Sequence, residues 1–329
     1  MLHLLIVVAP FFIGWAALFI GAYDIDPFKI LTLLVEAPFG SAAVKSPEEA
    51  ILFDIRLPRV VLAGLVGIAL GGSGVTLQGI FRNPLVDPFI LGVSAGAAFG
   101  CALSIGLLPS FPVQFMAFAF GMLSVLLTFG IARTQGEVSR LPLILSGVIV
   151  SAFFTALVSI VKFLVDPHKL QSIVFWLMGS FALADWRMVG VAAFGIAAGL
   201  VPILLMRWRL NVMSMGDEEA KTLGIHVGQE RMILVAAATL TVSIAVSVSG
   251  IIGWVGLMVP HLIRMMTGPD HRSLVPLSMA GAAAFMIFAD TAARSLAHVD
   301  IPVGIITAVV GTPFFVYLMR RGGKESWGK

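Results

Sequence analysis

The sequence predicts an all-α polytopic membrane protein of about ten transmembrane helices, with both termini in the cytoplasm. Its 329 residues are 59% hydrophobic and only 12% charged, and the mean hydropathy is +1.02. A soluble domain carries about 25% charged residues, so this much apolar surface is expected to face lipid. Apolar runs of near-bilayer length, bounded by charge, proline or glycine, recur along the chain. The predicted spans are 4–22, 58–80, 90–108, 112–132, 142–165, 188–206, 231–249, 251–267, 273–292 and 302–319.

The first run, MLHLLIVVAPFFIGWAALFIGAY, is predicted to be a membrane span and not a cleaved signal peptide. It lacks a basic n-region, and its length matches a full span of about 20 residues. Backbone amides cannot stay unpaired in lipid, so all the runs are expected to be helical, and none alternates as a β-barrel strand would. The shorter run at 173–183 is expected to form a short helix at the surface or within the bundle.

The distribution of Lys and Arg sets the predicted orientation. With the N-terminus inside, thirteen of the 21 Lys and Arg residues fall on the cytoplasmic side and eight on the outer side. This bias favours cytoplasmic N- and C-termini. Arg56, Arg59 and Arg294 lie on the outer side against the bias, so we expect them to have a function other than setting topology.

Two connections are long enough to carry structure of their own. The cytoplasmic connection 207–230 contains MGDEEAKTLGI at 215–225, which predicts a short helix, with a solvated loop as the alternative. Its three leading acidic residues suit a helix N-terminus, and Gly224 suits a C-terminal cap. The outer loop 23–55 predicts two further short helices, one of them starting at Ser46 and Pro47. The whole chain, 1–329, is expected to be one domain.

Glycines fall on single faces of two predicted spans. Lipid gives no hydrophobic drive for helix association, so small residues promote packing by letting backbones approach. These helices are therefore expected to lie deep in the bundle. The glycine positions are Gly64, Gly67, Gly71 and Gly74 in the second span, and Gly92, Gly96 and Gly100 in the third.

Polar groups near the span ends are few. Pro84 and Pro88 are expected to break helix continuation, and Asp87 can satisfy the backbone groups that they free. Asp290 and Arg294 are spaced i, i+4 and can pair on one helix. Local charge neutralisation is one interpretation of this pair, and a functional site is the other.

Motifs for chemistry are absent or carry little weight. The chain has no G-x-x-x-x-G-K-[ST] phosphate loop and no H-E-x-x-H zinc motif, so no cofactor or metal is expected and any ATPase must be another polypeptide. Cys101 is the only cysteine, which excludes a disulfide within the chain. GVSAG around Ser94 matches a hydrolase pattern, which would need His261 or His298 as base, but it begins an apolar helix. The net charge of +3 is spread over loops and does not predict nucleic-acid binding.

The landmarks of the chain, taken in order, resemble those of the FecCD-type permeases of binding-protein-dependent ABC importers. The likeness runs almost from end to end and is carried by motifs at the helix ends and in the long inner connection. They are RLPR (56–59), NPLVDPFILGVSAGA (83–97), WLMGSFALADWR (176–187), MGDEEAKTLGI (215–225), GWVGLMVPHLIR (253–264), GPDHRSLVP (268–276), ADTAAR (289–294) and PVGIITAVVGTPFF (302–315).

The resemblance implies a type II ABC importer permease fold with ten helices, in the bacterial cytoplasmic (inner) membrane. It implies a homodimer in contact with membrane lipid, two cytoplasmic ATP-binding subunits and a periplasmic substrate-binding protein. The fifth and tenth spans would face the second copy. The chain would be a transporter subunit and not itself an enzyme.

The resemblance also assigns roles to the outer arginines. Arg56, Arg59 and Arg294 match positions that pair with glutamates on the binding protein. Guanidinium groups suit this role because they stay charged and can bind a carboxylate through two hydrogen bonds. The three are therefore expected to form a docking rim.

On the cytoplasmic side, the resemblance implies a coupling helix at 215–225 that sits in a cleft of the ATPase. It also implies a gate at the turn before the fifth span. The matching positions are Gly216, Ala220, Leu223 and Gly224 for coupling, and Ser139 and Arg140 for the gate.

The expected cargo is a bulky metal chelate, either iron–siderophore or haem, with cobalamin next, because these predominate in the family. The alternative is a secondary transporter driven by an ion gradient. That mechanism would call for carboxylates in mid-span, whereas Asp87 and Asp290 lie near span ends. A channel or scaffold would leave the long inner connection without a purpose.

Overall fold

The computed structural model describes residues 1–21, 23–36, 46–134, 137–138, 140–296 and 299–322, and this part of the chain is almost entirely helical. Its one β element is a two-residue antiparallel ladder between β1 and β2. The elements are α1 Leu2–Phe19, α2 Pro27–Glu36, α3 Pro47–Ala50, a π-helical segment Ile51–Arg56, α4 Leu57–Phe81, α5 Val93–Gly106, α6 Val113–Ala132, β1 Arg133–Thr134, β2 Glu137–Val138, α7 Arg140–Leu164, α8 Pro167–Leu177, α9 Trp186–Met215, α10 Asp217–Thr222, α11 Val227–Ser249, α12 Val255–Thr267, α13 His271–Ser295 and α14 Val303–Gly322.

Seven helices of the described chain are long and apolar enough to cross a membrane: α1, the continuous helix ending in α4, α6, α7, α9, α11 and α13. Three shorter apolar helices, α5, α12 and α14, occupy the other three predicted runs. Apolar helices therefore lie at all ten predicted positions, although only seven have full length.

Helix α4 is the centre of the bundle and packs against α13, α9, α11 and α12. The predicted glycine face makes this possible. A Cβ on Gly67 or Gly71 would overlap the backbone of α13 at Ala282 or Ser278, and a Cβ on Gly74 would overlap α12. At Gly67, Gly71 and Gly74 the backbones of neighbouring helices therefore lie against the glycine face of α4, and this helix is deep in the bundle, as predicted.

Helix α4 begins earlier than predicted. The sequence predicts a span from 58, but helical backbone runs without a break from Pro47 through the π-helical segment Ile51–Arg56. Ser46 caps its start by accepting a hydrogen bond from the backbone N–H of Glu49, at 3.2 Å, as expected of a Ser-Pro start. Arg56, which the predicted span left out, is therefore helical, as Arg59 is.

Helix α9 runs further than predicted, to Met215, so the predicted connection 207–230 starts inside it. The segment between α9 and α11 is only 216–226, and it contains α10. The predicted short helix is confirmed: Asp217, Glu218 and Glu219 form its first turn.

Two further local predictions concern short segments. The predicted short helix at 173–183 is confirmed in part: α8 lies at Pro167–Leu177 and packs against α5, so it begins earlier than the apolar run and covers only its first five residues. The chain between α4 and α5 is non-helical, and the side chain of Asp87 accepts a hydrogen bond from the backbone N–H of Phe89 at 2.8 Å. Helix α5 then starts after Gly92, whose φ of +88° lies in the left-handed region that favours glycine.

Candidate functional site

One group of charges joins α4, α13 and the segment before α14. The Arg59 Nε lies 2.9 and 3.1 Å from the two carboxylate oxygens of Asp290, and its Nη1 lies 2.8 Å from Asp300 Oδ2. Arg294, one turn after Asp290, places its Nε 3.9 Å from Asp290 Oδ2. We refer to Arg56, Arg59, Asp290, Arg294 and Asp300 as the Asp290 cluster.

The other two arginines of this cluster satisfy the end of α1. Arg56 donates to the backbone carbonyl of Leu18 at 2.7 Å and to that of Tyr23, and Arg294 donates to the carbonyl of Ala17. The last carbonyls of a helix have no partner within the helix, and they carry the negative end of its dipole. Two guanidinium groups therefore cap α1 and fasten it to α4 and α13.

The structure thus brings the three predicted docking arginines together, but it does not leave them as exposed cations. Arg56, Arg59 and Arg294 are each at most 6% exposed. The Asp300 side chain is 43% exposed and is the accessible part of the cluster. Sequence reasoning missed Asp300, because 241 positions separate it from Arg59 and no local spacing signals the contact. It did name the Asp290–Arg294 pair, but the closer partner of Asp290 is Arg59.

A second group of charges lies at the other end of α4, about 35 Å along its axis at 1.5 Å per residue. Asp217, the first residue of α10, accepts from three arginines on three different helix ends. Its Oδ1 lies 3.0 Å from Arg82 Nη2 and also contacts Arg140, and its Oδ2 lies 2.7 Å from Arg231 Nη2. We call Asp217, Arg82, Arg140 and Arg231 the Asp217 cluster.

The Asp217 cluster connects α10 to the bundle electrostatically. Burial, the largest influence, works to raise the pKa of Asp217, but the hydrogen bond from Arg231 and the charges of Arg231, Arg140 and Arg82 together hold that pKa below its usual value. The carboxylate is therefore ionised at neutral pH. One carboxylate faces three guanidinium groups, so the cluster keeps an excess of positive charge.

The four predicted coupling residues divide into two kinds. Ala220 is fully buried and seats α10 on its neighbours, whereas Leu223 is 62% exposed. Gly224 has a φ of +79°, and the backbone N–H of Ile225 bonds the carbonyl of Ala220 at 3.1 Å, so the glycine closes α10 in a left-handed cap. Gly216 leaves room for the Glu219 side chain, whose carboxylate a Cβ at that position would overlap.

The two predicted gate residues have different outcomes. Ser139 lies outside the described residues. Arg140 begins α7 and belongs to the Asp217 cluster, a role that sequence reasoning did not give it. The structure therefore joins the predicted gate to the predicted coupling helix through Asp217.

The hydrolase and metal alternatives gain no support from the described residues. There, no hydrogen bond joins Ser94 to a histidine, and His261 lies against the ring of Phe315. His298 falls outside the described part of the chain. Cys101 is buried, and the described residues contain no group of three potential metal ligands.

Comparison with known proteins identifies the family. The model of the FecCD transport family matches residues 6–321, which is nearly the whole chain. A Helicobacter pylori (strain ATCC 700392 / 26695) protein named as an iron chelatin transport system permease is 44% identical over 271 residues, 82% of each chain. The Haemophilus influenzae molybdate import system permease MolB is 41% identical over 317 residues, 92% of this chain and 91% of its own. The Yersinia pestis hemin transport system permease HmuU is 40% identical over 287 residues, 84% of this chain and 85% of its own.

A solved structure agrees in fold. It is described as an inward-facing conformation of a metal-chelate type ABC transporter, is 39% identical to this chain, and superposes with a TM-score of 0.79 over 89% of this chain and 98% of its own. Permeases of this family carry no ATPase site and work with ATP-binding subunits and a substrate-binding protein. The chain belongs to the FecCD transport family and is a multi-pass ABC importer permease of the bacterial inner membrane.

Proposed function

We propose that this permease imports a bulky metal chelate from periplasm to cytoplasm. Iron–siderophore and haem are the first candidates and cobalamin is next. The observation that carries the transport mechanism is α10, a short exposed helix whose first residue is ion-paired to three helix ends. Such a helix can be moved by a partner and can pass the movement on. The names of the Helicobacter and Yersinia relatives, which refer to iron chelatin and hemin, support these cargoes. The Haemophilus relative is named as a molybdate importer, so an oxyanion is the competing cargo.

The proposed topology has ten spans, with both termini in the cytoplasm. The ten apolar helices and the excess of Lys and Arg on one side support it. In this arrangement the Asp290 cluster faces the periplasm and the Asp217 cluster faces the cytoplasm.

In the proposed mechanism, each cytoplasmic ATP-binding subunit grips α10 at Leu223. Closure of the ATPase pair displaces α10, and Asp217 transmits the displacement to Arg82, Arg140 and Arg231. Arg140, with Ser139 before it, would thereby open or close the gate at the start of α7. Gly216, Ala220 and Gly224 contribute by holding α10 in the shape that the partner recognises.

The proposed dimer contact uses α7 and α14. Both helices leave large apolar side chains exposed in the single chain, for example Phe153 on α7 and Val309 on α14. A second copy would cover these faces, and the cargo would pass along the two-fold axis. Lipid would cover the remaining apolar surface.

The binding protein is proposed to dock over the Asp290 cluster. Arg56 and Arg294 donate to carbonyls of α1, so Arg59 is the arginine best placed to bind a carboxylate of the binding protein. To do so, Arg59 would release the half-exposed Asp300 and pair with the partner's carboxylate instead. Asp300→Asn should therefore strengthen docking, about fivefold for the removal of one like charge worth about 1 kcal/mol. Affinity would be measured by surface plasmon resonance on permease in nanodiscs. Unchanged or weaker docking would contradict the role of Arg59, and Asp26→Asn is an exposed control.

The transport proposal is tested with the reconstituted transporter. Binding protein loaded with a ferric siderophore, haem, cobalamin or molybdate is added to proteoliposomes, and ATP hydrolysis and uptake are measured. We expect one chelate to stimulate both, and stimulation by molybdate alone would overturn the cargo proposal. Uptake by the permease alone on a proton or sodium gradient would favour the secondary-transporter alternative.

The coupling role of α10 has its own variant pair. Leu223→Asp places a charge where the ATPase is proposed to bind, and we expect at least tenfold weaker co-purification of the ATP-binding subunits, equal to about 1.4 kcal/mol. Glu218→Gln is the matched control, because Glu218 lies on the same helix and its side chain is 84% exposed. Full retention of the ATPase by Leu223→Asp would remove this residue from the interface.

A further inference from the structure

A groove of about 630 Å³ lies between α6 and α11 and ends at α10. Leu126 and Phe129 form its wall on α6, and Met232 and Ala236 form its wall on α11. Leu126 and Met232 are both more than half exposed, so the groove opens sideways, towards the surface that faces lipid in a membrane-embedded chain.

The groove is polar at only one end. Arg133, at the end of α6, and Gln229, in the first turn of α11, line that end together with Lys221 and the Asp217–Arg231 pair. Among the side chains that the structure describes, no carboxylate lies within ion-pair distance of Arg133, so this guanidinium remains available to an anion.

The length of the groove matches one leaflet. Its lining on α11 runs from Val227 to Thr239, which is about 18 Å of helix at 1.5 Å per residue. Half of a hydrocarbon core of about 30 Å is about 15 Å. An acyl chain entering from the polar end would therefore reach roughly the middle of the bilayer.

We propose that this groove binds one phospholipid with an anionic headgroup from the cytoplasmic leaflet. An acyl chain lies between α6 and α11, and the phosphate lies at Arg133 and Gln229. Basic pockets between transmembrane helices on the cytoplasmic side suit anionic headgroups, because they add charge attraction to apolar burial. The assignment to the cytoplasmic leaflet rests on the proposed topology.

The groove also offers a substitution that blocks it without disturbing the bundle. Gly130 lies in its wall, and a Cβ there would meet no atom within 4 Å, so Gly130→Phe projects into the groove. Gly190 on α9 is equally open but lies outside the groove, which makes Gly190→Phe the matched control.

The test uses the assembled transporter in vesicles of equal phosphatidylcholine and phosphatidylglycerol. The protein is extracted in mild detergent, and native mass spectrometry counts the lipids that it retains. We expect wild type and Gly190→Phe to retain phosphatidylglycerol in preference to phosphatidylcholine. Gly130→Phe should lose the bound lipid. Arg133→Gln should reduce the preference for phosphatidylglycerol over phosphatidylcholine about fivefold, because one basic side chain near the membrane surface contributes about 1 kcal/mol.

Two results would overturn the proposal. One is equal retention of phosphatidylglycerol by wild type and Gly130→Phe, and the other is equal retention of the two lipids by wild type. Displacement of the lipid by inorganic phosphate alone would assign the site to free anion and would also overturn it. None of these readouts uses ATP hydrolysis or transport, so failure of the lipid site is distinguishable from failure of the transport proposal.

Discussion

Asp290 is a carboxylate only 1% exposed that depends on arginines from two helices. A buried pair is costly to break, because the remaining charge stays desolvated. We expect Arg59→Gln to lower the free energy of unfolding by about 3–5 kcal/mol. The loss would be detected as a lower midpoint of thermal unfolding in detergent.

A second variant isolates the charge effect from loss of packing. Arg59→Gln with Asp290→Asn removes both charges of the closest pair and should recover part of the lost midpoint, because the buried carboxylate is gone while Arg294 gives up its longer 3.9 Å contact with Asp290. Arg272→Gln is an exposed control that should change stability by less than about 0.5 kcal/mol. If the double variant is no more stable than Arg59→Gln, the pair does not act as described.

Residue-scale prediction succeeded where the signal is local. The Ser46 cap, the acidic start of α10 and the Gly224 cap each depend on neighbours within a few positions. The pairs Arg82–Asp217 and Arg59–Asp300 are separated by 135 and 241 positions. Sequence spacing carries no information on such contacts, because tertiary packing alone decides them.

At the scale of elements, the contact between α4 and α13 depends on missing side chains. Gly71→Ala would push a Cβ into the backbone of α13 at Ser278, so the two helices must move apart. Overpacking of this kind costs about 1–3 kcal/mol, and we expect a lower thermal midpoint in detergent. Gly190→Ala is the control, because its Cβ meets nothing and alanine is the better helix former. An unchanged midpoint for Gly71→Ala would show that the contact is not tight.

The existence of the helices could be predicted better than their ends. Arg207 and Arg209 suggested the end of a span, yet α9 continues through both to Met215. Arginine is a good helix former, so its charge indicates where lipid ends and not where the helix ends. Arg209 also pairs with Glu230 on α11. The charges of Asp54 and Arg56 likewise made the second span appear to begin at 58, although its helical backbone begins at Pro47. An apolar run indicates which residues of a helix lie in lipid. It does not indicate where the backbone hydrogen bonds of that helix begin or end.

At the scale of the molecule, topology is the property on which the transport proposal depends. Cys101 is the only cysteine and is buried, so the natural chain should resist a membrane-impermeant maleimide. In right-side-out vesicles we expect Leu183→Cys to be labelled from outside and Glu218→Cys only after lysis, since both side chains are more than four-fifths exposed. The reverse labelling pattern would show that the proposed orientation is inverted. Labelling of both positions from outside would show that no single span lies between them, which would contradict the proposed topology.

Helix α9 has 30 residues and is therefore about 45 Å long, which equals a bilayer with both headgroup layers included. In the proposed topology α9 would therefore place α10 at the boundary between the headgroups and the cytosol, with only Gly216 between the two helices. Each residue added to or removed from the last turn of α9 would rotate the following chain by about 100° and shift it by about 1.5 Å. The orientation of α10 about the axis of α9 is thus set by the number of residues in α9, in addition to the side chains that pack α9 against α4 and α11.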